Sequence, residues 1–488
     1  MSLRSSSSVR SSSEPVFGVK GGTTGGLRIA LGALTTITVL CVPVLAGAST
    51  AVATSSSSCD SWTGGSGMWS DASGWSDGVP GPSTDVCINA PGTYTVTVED
   101  LQVANSITLG GSSGRQTLVV VGNTSVESEL TITSSSTVNA NGILEVSSTG
   151  GGSSYLRDST IVNDGTFEAI GSGSVTPDQI YTGLTNEKGA TVDIDDDSEF
   201  PLNGSVVTNS GTFNVSKGVT MLLDGPDTFT QSGGTLDVAG TLQTATGDVF
   251  IENGGSAIGN PVNITNTTLK DSKGTGTFDL EGDGAGLSGT VPRGQTLFVL
   301  GTPDDEETSL VSRVLNDGTI VVTSPSGNFA ALAGAPLVNA GRLDVEGTGQ
   351  DQLRCDVTND AGGTLDLTTL APTQIAGALT NEGTFLLGPG AQAALDGGSV
   401  SLRASSTTKV TVAAKGGGPE ITGSGPLSLG GTLEVTAVGA LKVGHNYGII
   451  SHATPTGRFG KLDFPKASFR ITYSPTAVTL TVAPPRNP

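Results

Sequence analysis

The sequence predicts an all-β fold: a right-handed, single-stranded parallel β-helix with about 22 residues per coil and a cap at each end. Three observations support this prediction. A short phrase recurs along the chain, its copies are evenly spaced, and each copy is followed by strand-type alternation of apolar and polar residues. The composition agrees, because Gly accounts for 72 of 488 residues and charged residues for only 14%, which favours strands and turns over helices.

The recurring phrase is an apolar residue, a spacer, Asn, a small or charged residue, Gly, then usually Thr and a second apolar residue. Clear copies occupy residues 161–167, 207–213, 314–320, 337–343 and 379–385. We expect the Asn to lie where one strand turns into the next, since Asn tolerates left-handed backbone angles and its amide can bond a neighbouring coil. We expect the following Gly to supply a positive φ.

The Thr of the phrase, or its equivalent, marks one position on each coil. The markers are Ile143, Thr166, Thr191, Thr212, Thr235, Ser256, Thr277, Thr296, Thr319, Arg342, Thr364 and Thr384. Their steps of 19 to 25 residues fit three short strands plus turns, and the next copy, at Thr432, lies two steps further on. Alternation after a marker, as in residues 235–238, predicts that the apolar residues face a continuous core. A leucine-rich repeat lacks support because its helical arc is missing, and a β-propeller needs a longer repeat.

The formal charge of −22 argues against nucleic acid and anionic membranes as partners, because like charges repel. Acidic polysaccharides would also be repelled unless a cation intervened.

Residues 1–53 have the pattern of a signal peptide. Basic residues precede an apolar run at 29–46, and cleavage after Ala48 or Ala53 fits the small-residue rule. A single membrane anchor is the alternative, although the run is shorter than the ~20 residues that a span prefers. Cleavage after Ala53 leaves 19 basic and 44 acidic residues, a net charge of −25, and no membrane span in the mature chain. We therefore expect a secreted, extracellular protein, either free or associated with the cell surface.

The cysteines fit an oxidising compartment. Cys59 and Cys87 are the natural disulfide pair and close a Trp-rich segment. Cys355 is left over and is expected to be a buried free thiol within a coil.

The two ends differ from the repeats. Residues 54–98 contain Trp62, Trp69 and Trp75, and residues 431–488 contain Tyr447, a Gly-x-Phe sequence and a final alternating strand. These segments resemble the Trp-rich opening and the closing segment of secreted bacterial adhesin-like, autotransporter-passenger-like β-helix proteins. The resemblance implies a pectin-lyase-like solenoid over residues 99–430, an N-terminal cap over 54–98, and C-terminal coils and a cap over 431–488. A sugar-stacking surface is the alternative for the tryptophans.

The strongest candidate for chemistry is the acidic run that contains Asp193, Asp195 and Asp197. Paired carboxylates can bind Ca²⁺ or share acid–base work, but no acidic residues on adjacent coils join them in an obvious way. A solvated acidic face is the ordinary interpretation. The sequence contains no nucleophile-elbow, P-loop, C-x-x-C or H-E-x-x-H motif. We therefore expect no cofactor, with calcium, bound by Asp193, Asp195 and Asp197, as the one possibility that the sequence offers.

These observations predict a secreted, non-enzymatic, adhesin-like surface protein whose partner is an extracellular glycan or a cell-surface protein. The alternative is a polysaccharide lyase or glycoside hydrolase, which would need Asp or Glu with Arg or Lys on neighbouring coils. A third hypothesis is a calcium-stabilised surface-layer component. Fold alone does not choose among them.

Overall fold

A computed structural model describes residues 59–122, 127–149, 152–172, 177–201, 204–303, 306–369, 371–414, 418–452, 454–465 and 467–484. The chain is an all-β parallel β-solenoid of about 16 turns with about 23 residues per turn. Strands account for 61% of it, and the helical element in the described part is a three-residue 3-10 helix, Ala72–Gly74. The predicted fold class is confirmed. The predicted signal peptide, residues 1–53, lies outside the described residues.

The strands are numbered in chain order. The first coils contain β1 (Asp60–Ser61), β2 (Gly67–Met68), β3 (Asp85–Ile88), β4 (Tyr94–Val98), β5 (Leu101–Ala104), β6 (Ser106–Leu109), β7 (Gln116–Gly122), β8 (Ser128–Ile132), β9 (Ser136–Val138), β10 (Gly142–Thr149), β11 (Ser154–Asn163), β12 (Thr166–Ser172), β13 (Asp178–Asn186), β14 (Thr191–Ile194), β15 (Ser198–Phe200) and β16 (Val206–Asn209).

The middle coils contain β17 (Thr212–Val215), β18 (Thr220–Leu223), β19 (Thr228–Val238), β20 (Thr241–Gln243), β21 (Val249–Gly259), β22 (Val262–Thr265), β23 (Thr268–Glu281), β24 (Gly286–Val291), β25 (Gln295–Leu300), β26 (Glu306–Asn316), β27 (Thr319–Ser324), β28 (Ala330–Gly334), β29 (Leu337–Asn339), β30 (Arg342–Gly347), β31 (Gln352–Leu353) and β32 (Val357–Asn359).

The last coils contain β33 (Thr364–Leu367), β34 (Pro372–Ile375), β35 (Ala378–Asn381), β36 (Thr384–Leu387), β37 (Gln392–Leu395), β38 (Ser399–Leu402), β39 (Thr407–Ala413), β40 (Glu420–Gly423), β41 (Leu427–Leu429), β42 (Thr432–Val438), β43 (Asn446–His452), β44 (Thr456–Gly457), β45 (Lys461–Asp463), β46 (Phe469–Tyr473) and β47 (Ala477–Val482).

Each coil contributes strands to three parallel columns. The first column begins with β1 and β3, the second with β2 and β4, and the third with β5 and β8. At the other end, β43 and β44 both trace back through β26 and β24 to the first column, whereas β45 traces back through β23 and β22 to the third. The second column ends at β23, where Ser256 pairs with Thr275. A strand therefore pairs with its equivalent one coil later, and the stacked coils share one core.

The predicted markers pair with each other at every step but one. The two-step interval before Thr432 is also confirmed, because Thr407 pairs with both Thr384 and Thr432. The exception is Ser256, which pairs with Thr275 and not with the predicted Thr277. The register irregularities between Glu252 and Ser256 cancel, because Val249 pairs with Thr268 and Ser256 with Thr275 at the same offset. Thr277 instead lies on the column of β22, since the next residue, Phe278, pairs with Val262.

The predicted core alternation is confirmed. The apolar residues that follow the markers, such as Leu236, Val238, Leu365 and Leu367, are fully buried. In the middle of the solenoid, four phenylalanines from successive coils pack ring to ring, with centroids 5.0 to 5.5 Å apart: Phe213, Phe229, Phe250 and Phe278. Burial of this continuous apolar column stabilises coils that could not bury a core singly.

The Asn residues of the phrase form buried ladders along the first column. Asn163 Nδ2 donates to Asn186 Oδ1 at 2.9 Å and to the Thr191 carbonyl at 2.8 Å. Asn316, Asn339 and Asn359 repeat the arrangement further along the chain. The expected amide bond to a neighbouring coil is therefore confirmed, and it satisfies backbone carbonyls that the turns would otherwise leave buried.

The expected backbone angles of the phrase are wrong. The glycines of its five clear copies are absent from the positive-φ glycines of the described chain, and the one described non-Gly residue with positive φ is Asn266. These glycines are required by close packing instead. A Cβ at Gly165, Gly211, Gly318, Gly341 or Gly383 would overlap a backbone carbonyl oxygen of the preceding coil. The missing side chain lets two turns approach each other.

The two ends are built differently. At the N-terminal end, Trp62, Trp69 and Trp75 are buried and pack edge to face, and a disulfide joins Cys59 to Cys87. At the C-terminal end, β43 pairs antiparallel with β47, which pairs antiparallel with β46. Cys355 is a buried free thiol, and desolvation raises its pKa to about 12.

Candidate functional site

The sequence-predicted carboxylates lie along one coil. Asp193 is half-buried on β14, whereas Asp195 and Asp197 follow it and are exposed. Each carboxylate accepts a hydrogen bond from the next coil: from Asn214 Nδ2 at 2.6 Å, from the Ser216 hydroxyl, and from the Thr220 N–H at 2.7 Å. No group of three or more His, Cys, Asp or Glu side chains in the described ranges is placed to hold a metal ion. Calcium binding at these residues stays a prediction.

Acidic residues on adjacent coils do join Asp193, contrary to the expectation from the sequence. Glu145 pairs with Glu168, and Glu168 pairs with Asp193. We call these three residues the acidic stripe. Each lies two residues after a marker, at Ile143, Thr166 and Thr191. Comparing that position from coil to coil would have revealed the stripe in the sequence.

The acidic stripe has unusual electrostatics. Desolvation raises the pKa of Glu145. Desolvation, followed by the negative charges of Glu145 and Asp193, raises the pKa of Glu168, against an opposing effect of Arg115. Neighbouring strands are about 4.8 Å apart, which is close to the separation of the two carboxyl groups in retaining glycosidases. The stripe therefore places two carboxyl groups of raised pKa, Glu145 and Glu168, on neighbouring strands.

A second outward-facing group lies on the third column of strands and was missed from the sequence. It consists of Glu129, Tyr155, Arg157, Gln179, Tyr181 and Glu199, which we call the Tyr–Arg cluster. Its residues come from four successive strands of that column, β8, β11, β13 and β15, and all are partly exposed. Two of the chain's five tyrosines are therefore gathered on adjacent coils. One coil is 24 residues here, since Tyr155 pairs with Gln179 and Arg157 with Tyr181. The two tyrosines, 26 residues apart, are therefore diagonal neighbours on adjacent coils, and this spacing is the signal that could have revealed them.

Contacts hold the Tyr–Arg cluster in place. The Arg157 guanidinium lies 4.0 Å from the ring centroid of Tyr181 and 5.6 Å from that of Tyr155. Arg157 Nε also lies 3.1 Å from Glu129 Oε2. Gln179 Nε2 donates to Glu199 at 2.7 Å. The cluster thus presents aromatic surface beside carboxylate and amide groups whose positions are already restricted.

The tryptophans, in contrast, do not offer a sugar-stacking surface. All three rings are buried. Trp75 Nε1 donates to the Trp69 carbonyl at 2.7 Å, and Trp62 Nε1 donates to the Gly65 carbonyl at 2.8 Å. The three rings belong to the buried core, and the assignment of residues 54–98 as an N-terminal cap stays a prediction.

Two carboxyl groups are buried inside the ladder of the first column. Glu252 pairs with Gln231 of the preceding coil and with Asp271 of the following coil. Their side chains are 0% and 2% exposed. Both oxygens of Glu252 and Oδ1 of Asp271 lack a hydrogen bond of standard geometry. Desolvation raises the pKa of Glu252 to about 9, with a further contribution from Asp271, and desolvation raises that of Asp271 to about 8. We call these residues the buried acid pair.

No protein-family model matches the sequence, and no curated protein matches it. Across the described ranges, no helix has the length and apolar character needed to cross a membrane.

Proposed function

We propose that this chain is a secreted, non-enzymatic surface rod that binds a neutral extracellular glycan through its Tyr–Arg cluster. At the ~4.8 Å spacing of neighbouring strands, about 16 turns give a solenoid roughly 75 Å long. A rod of this kind suits display of a binding face away from a cell surface. The resemblance of the two ends to adhesin-like β-helix proteins supports the same proposal by analogy alone.

The observation that carries the proposal is the Tyr–Arg cluster. Sugar rings pack their C–H faces on aromatic rings, and their hydroxyls bond carboxylates and amides. Tyr155 and Tyr181 supply the rings, while Glu199 and Gln179 supply acceptors and a donor. The Arg157 charge is offset by Glu129. Because the whole chain carries a charge of −22, a neutral glycan is favoured over an acidic one.

The test is a glycan array probed with the purified protein and with a Tyr155→Ala, Tyr181→Ala variant. We expect the wild-type protein to bind neutral oligosaccharides, and we expect the affinity of the double variant for them to be at least tenfold lower. Tyr473→Ala is the matched control, because Tyr473 is a half-exposed tyrosine in the C-terminal cap and its loss should leave binding unchanged. Absence of any glycan binding by the wild-type protein would refute the proposal, as would equal binding by the double variant.

The acidic stripe supports a second candidate function, a polysaccharide lyase or glycoside hydrolase. Glu145, Glu168 and Asp193 lie on adjacent coils, and the positive charge of Arg115 lowers the pKa of Glu168 against the larger effect of desolvation. In such an enzyme Glu168, whose pKa is raised, would be the general acid, and Glu145 or Asp193 the base or nucleophile.

This candidate is tested by incubating the protein with a panel of neutral and acidic polysaccharides. New reducing ends report hydrolysis, and new unsaturated products report lyase chemistry. Activity that disappears in Glu168→Gln and persists in Asp317→Asn, an exposed acid on a distant coil, would replace the adhesive proposal with the enzymatic one. If no polysaccharide is cleaved, the enzymatic candidate fails.

A further inference from the structure

The two ends of the solenoid carry opposite charge. Residues 54–114 contain six acidic residues and no Lys, Arg or His, whereas residues 438–488 contain six Lys or Arg, two His and one acidic residue, Asp463. The C-terminal end is therefore basic in a chain whose net charge is −22. Charge of opposite sign at the two ends of one rod favours contact between the end of one copy and the start of another.

Both ends also present strand edges. Among the described residues, β2 and β5 pair on one side only, with β4 and β8. The same holds for β44, β45 and β46, which pair with β41, β42 and β47. An edge strand with free N–H and C=O groups is a template for pairing with another chain. The first column is closed at the N-terminal end, because the Ser76 N–H donates to the Ser61 carbonyl of β1 at 3.0 Å. On β2 the Met68 carbonyl accepts from the Asp71 N–H at 3.0 Å, which leaves β5 as the more open edge.

The charged side chains lie at these edges. Glu99 and Asp100 directly precede β5, and both are exposed. At the other end Lys461 lies on β45 and Arg470 on β46, and both are exposed. Arg458, just after β44, is also exposed, and its guanidinium packs over the Tyr473 ring at 5.0 Å. Acidic side chains thus lie beside the open strand β5 at the N-terminal end. At the C-terminal end, basic side chains lie on or directly after each of the three open strands.

Apolar groups accompany the charges. At the N-terminal end Leu101 on β5 is 71% exposed, and at the C-terminal end Val443 is 54% and Leu462 is 39% exposed. A groove of about 570 Å³ lies beside Val443, lined also by Leu441 and Phe464. Such groups gain stability when they are removed from water. Each end therefore combines an unpaired strand, exposed apolar surface and charge of one sign.

We propose that copies of this chain associate head to tail, with the basic C-terminal end of one copy on the acidic N-terminal end of the next. In this arrangement β44, β45 and β46 face the edges β2 and β5. The contact is heterologous, because it joins two different surfaces, and each added copy leaves one free end of each kind. The assembly is therefore open-ended, a filament that grows with protein concentration. It does not depend on what the Tyr–Arg cluster binds.

The proposal is tested by sedimentation velocity of the purified chain at several concentrations and two ionic strengths. We expect particles longer than one copy at low salt, and dissociation as salt screens the charges. A C-terminal variant, Lys461→Glu with Arg470→Glu, and an N-terminal variant, Glu99→Lys with Asp100→Lys, should each weaken association at least tenfold. Mixing the two variants should restore association, because the unchanged end of one variant complements the unchanged end of the other, and the two reversed ends also carry opposite charge.

A variant reversed at both ends restores the charge complementarity and should associate again, which separates lost binding from lost folding. The controls make the same charge changes away from the ends, at exposed residues on the solenoid side: Lys188→Glu with Lys217→Glu, and Asp164→Lys with Asp317→Lys. These controls should associate as the wild type does. The proposal is overturned if the wild-type chain stays monomeric at low salt, or if the end variants and the controls behave alike.

Discussion

Replacing the buried acid pair with amides, Glu252→Gln with Asp271→Asn, should remove a pH dependence from the stability of the solenoid. The two carboxyl groups occupy the ladder of the first column, where other coils carry Asn or Gln. An amide donates and accepts hydrogen bonds, whereas a carboxylate only accepts them. A protonated carboxyl group resembles the amide in this respect, so we expect both acids to hold their protons in the folded state at neutral pH.

The sign and size of the effect follow from the raised pKa values. The unfolded chain releases the Glu252 proton near pKa 4.5, but the folded chain holds it to about 9. Between these values the unfolded state binds fewer protons, so the free energy of unfolding falls as pH rises, and the loss is complete above the folded pKa. At about 1.4 kcal/mol per pKa unit, Glu252 alone costs on the order of 5 kcal/mol across this window. Asp271, whose pKa rises from 3.8 to about 8, acts in the same direction.

The assay is thermal unfolding followed by circular dichroism at about pH 5, 7 and 9. The wild-type and amide proteins should unfold at similar temperatures at the lowest pH, and the amide variant should be the more stable at the highest. Asp164→Asn, at an exposed acid, is the control and should follow the wild type throughout. A stability difference that does not grow with pH would refute the reasoning. A wild-type midpoint that falls on chelation, with no such fall in the variant, would show that a cation and not a proton neutralises the pair.

Three further predictions concern individual residues. Gly341→Ala should lower the free energy of unfolding by about 1–3 kcal/mol, because its Cβ would overlap backbone of the preceding coil. Gly218→Ala is the comparison, since a Cβ at Gly218 would meet no neighbouring atom but the φ of this residue is +82°. A larger loss of unfolding free energy in Gly218→Ala than in Gly341→Ala would mean that the backbone angle matters more than packing. Asn339→Leu should cost about 3 kcal/mol in urea unfolding, because it removes bonds to Asn359 and Thr364 and one from Asn316; no loss would contradict the ladder's role. The Cys355 thiol, buried with its pKa raised to about 12, should resist alkylation at about pH 8 until the protein unfolds, and rapid labelling of the folded protein would contradict its burial.

The sequence was sufficient wherever a repeated local pattern determines the structure. The marker residues Thr212, Thr235, Thr364 and Thr384 predicted the register, because a coil whose strands pair in parallel must return after a nearly constant number of residues. The alternation after each marker predicted which side chains are buried, because strand geometry places them on opposite faces. A count along the chain could not place Ser256 against Thr275, because the marker series changes column there and Phe278, next to the marker Thr277, pairs with Val262 of β22.

The tertiary structure decided which residues of different coils contact each other. The glycines of the phrase are needed because two turns on adjacent coils approach each other closely, and not because their own φ is positive. This requirement cannot be recognised from a single coil. Likewise the acidic stripe and the Tyr–Arg cluster join residues 20 to 28 positions apart, which become neighbours only when the coils stack. The sequence by itself therefore determined the all-β repeat, its period and its core, because these follow from local alternation. The structure decided which outward side chains meet, because that depends on the register between coils.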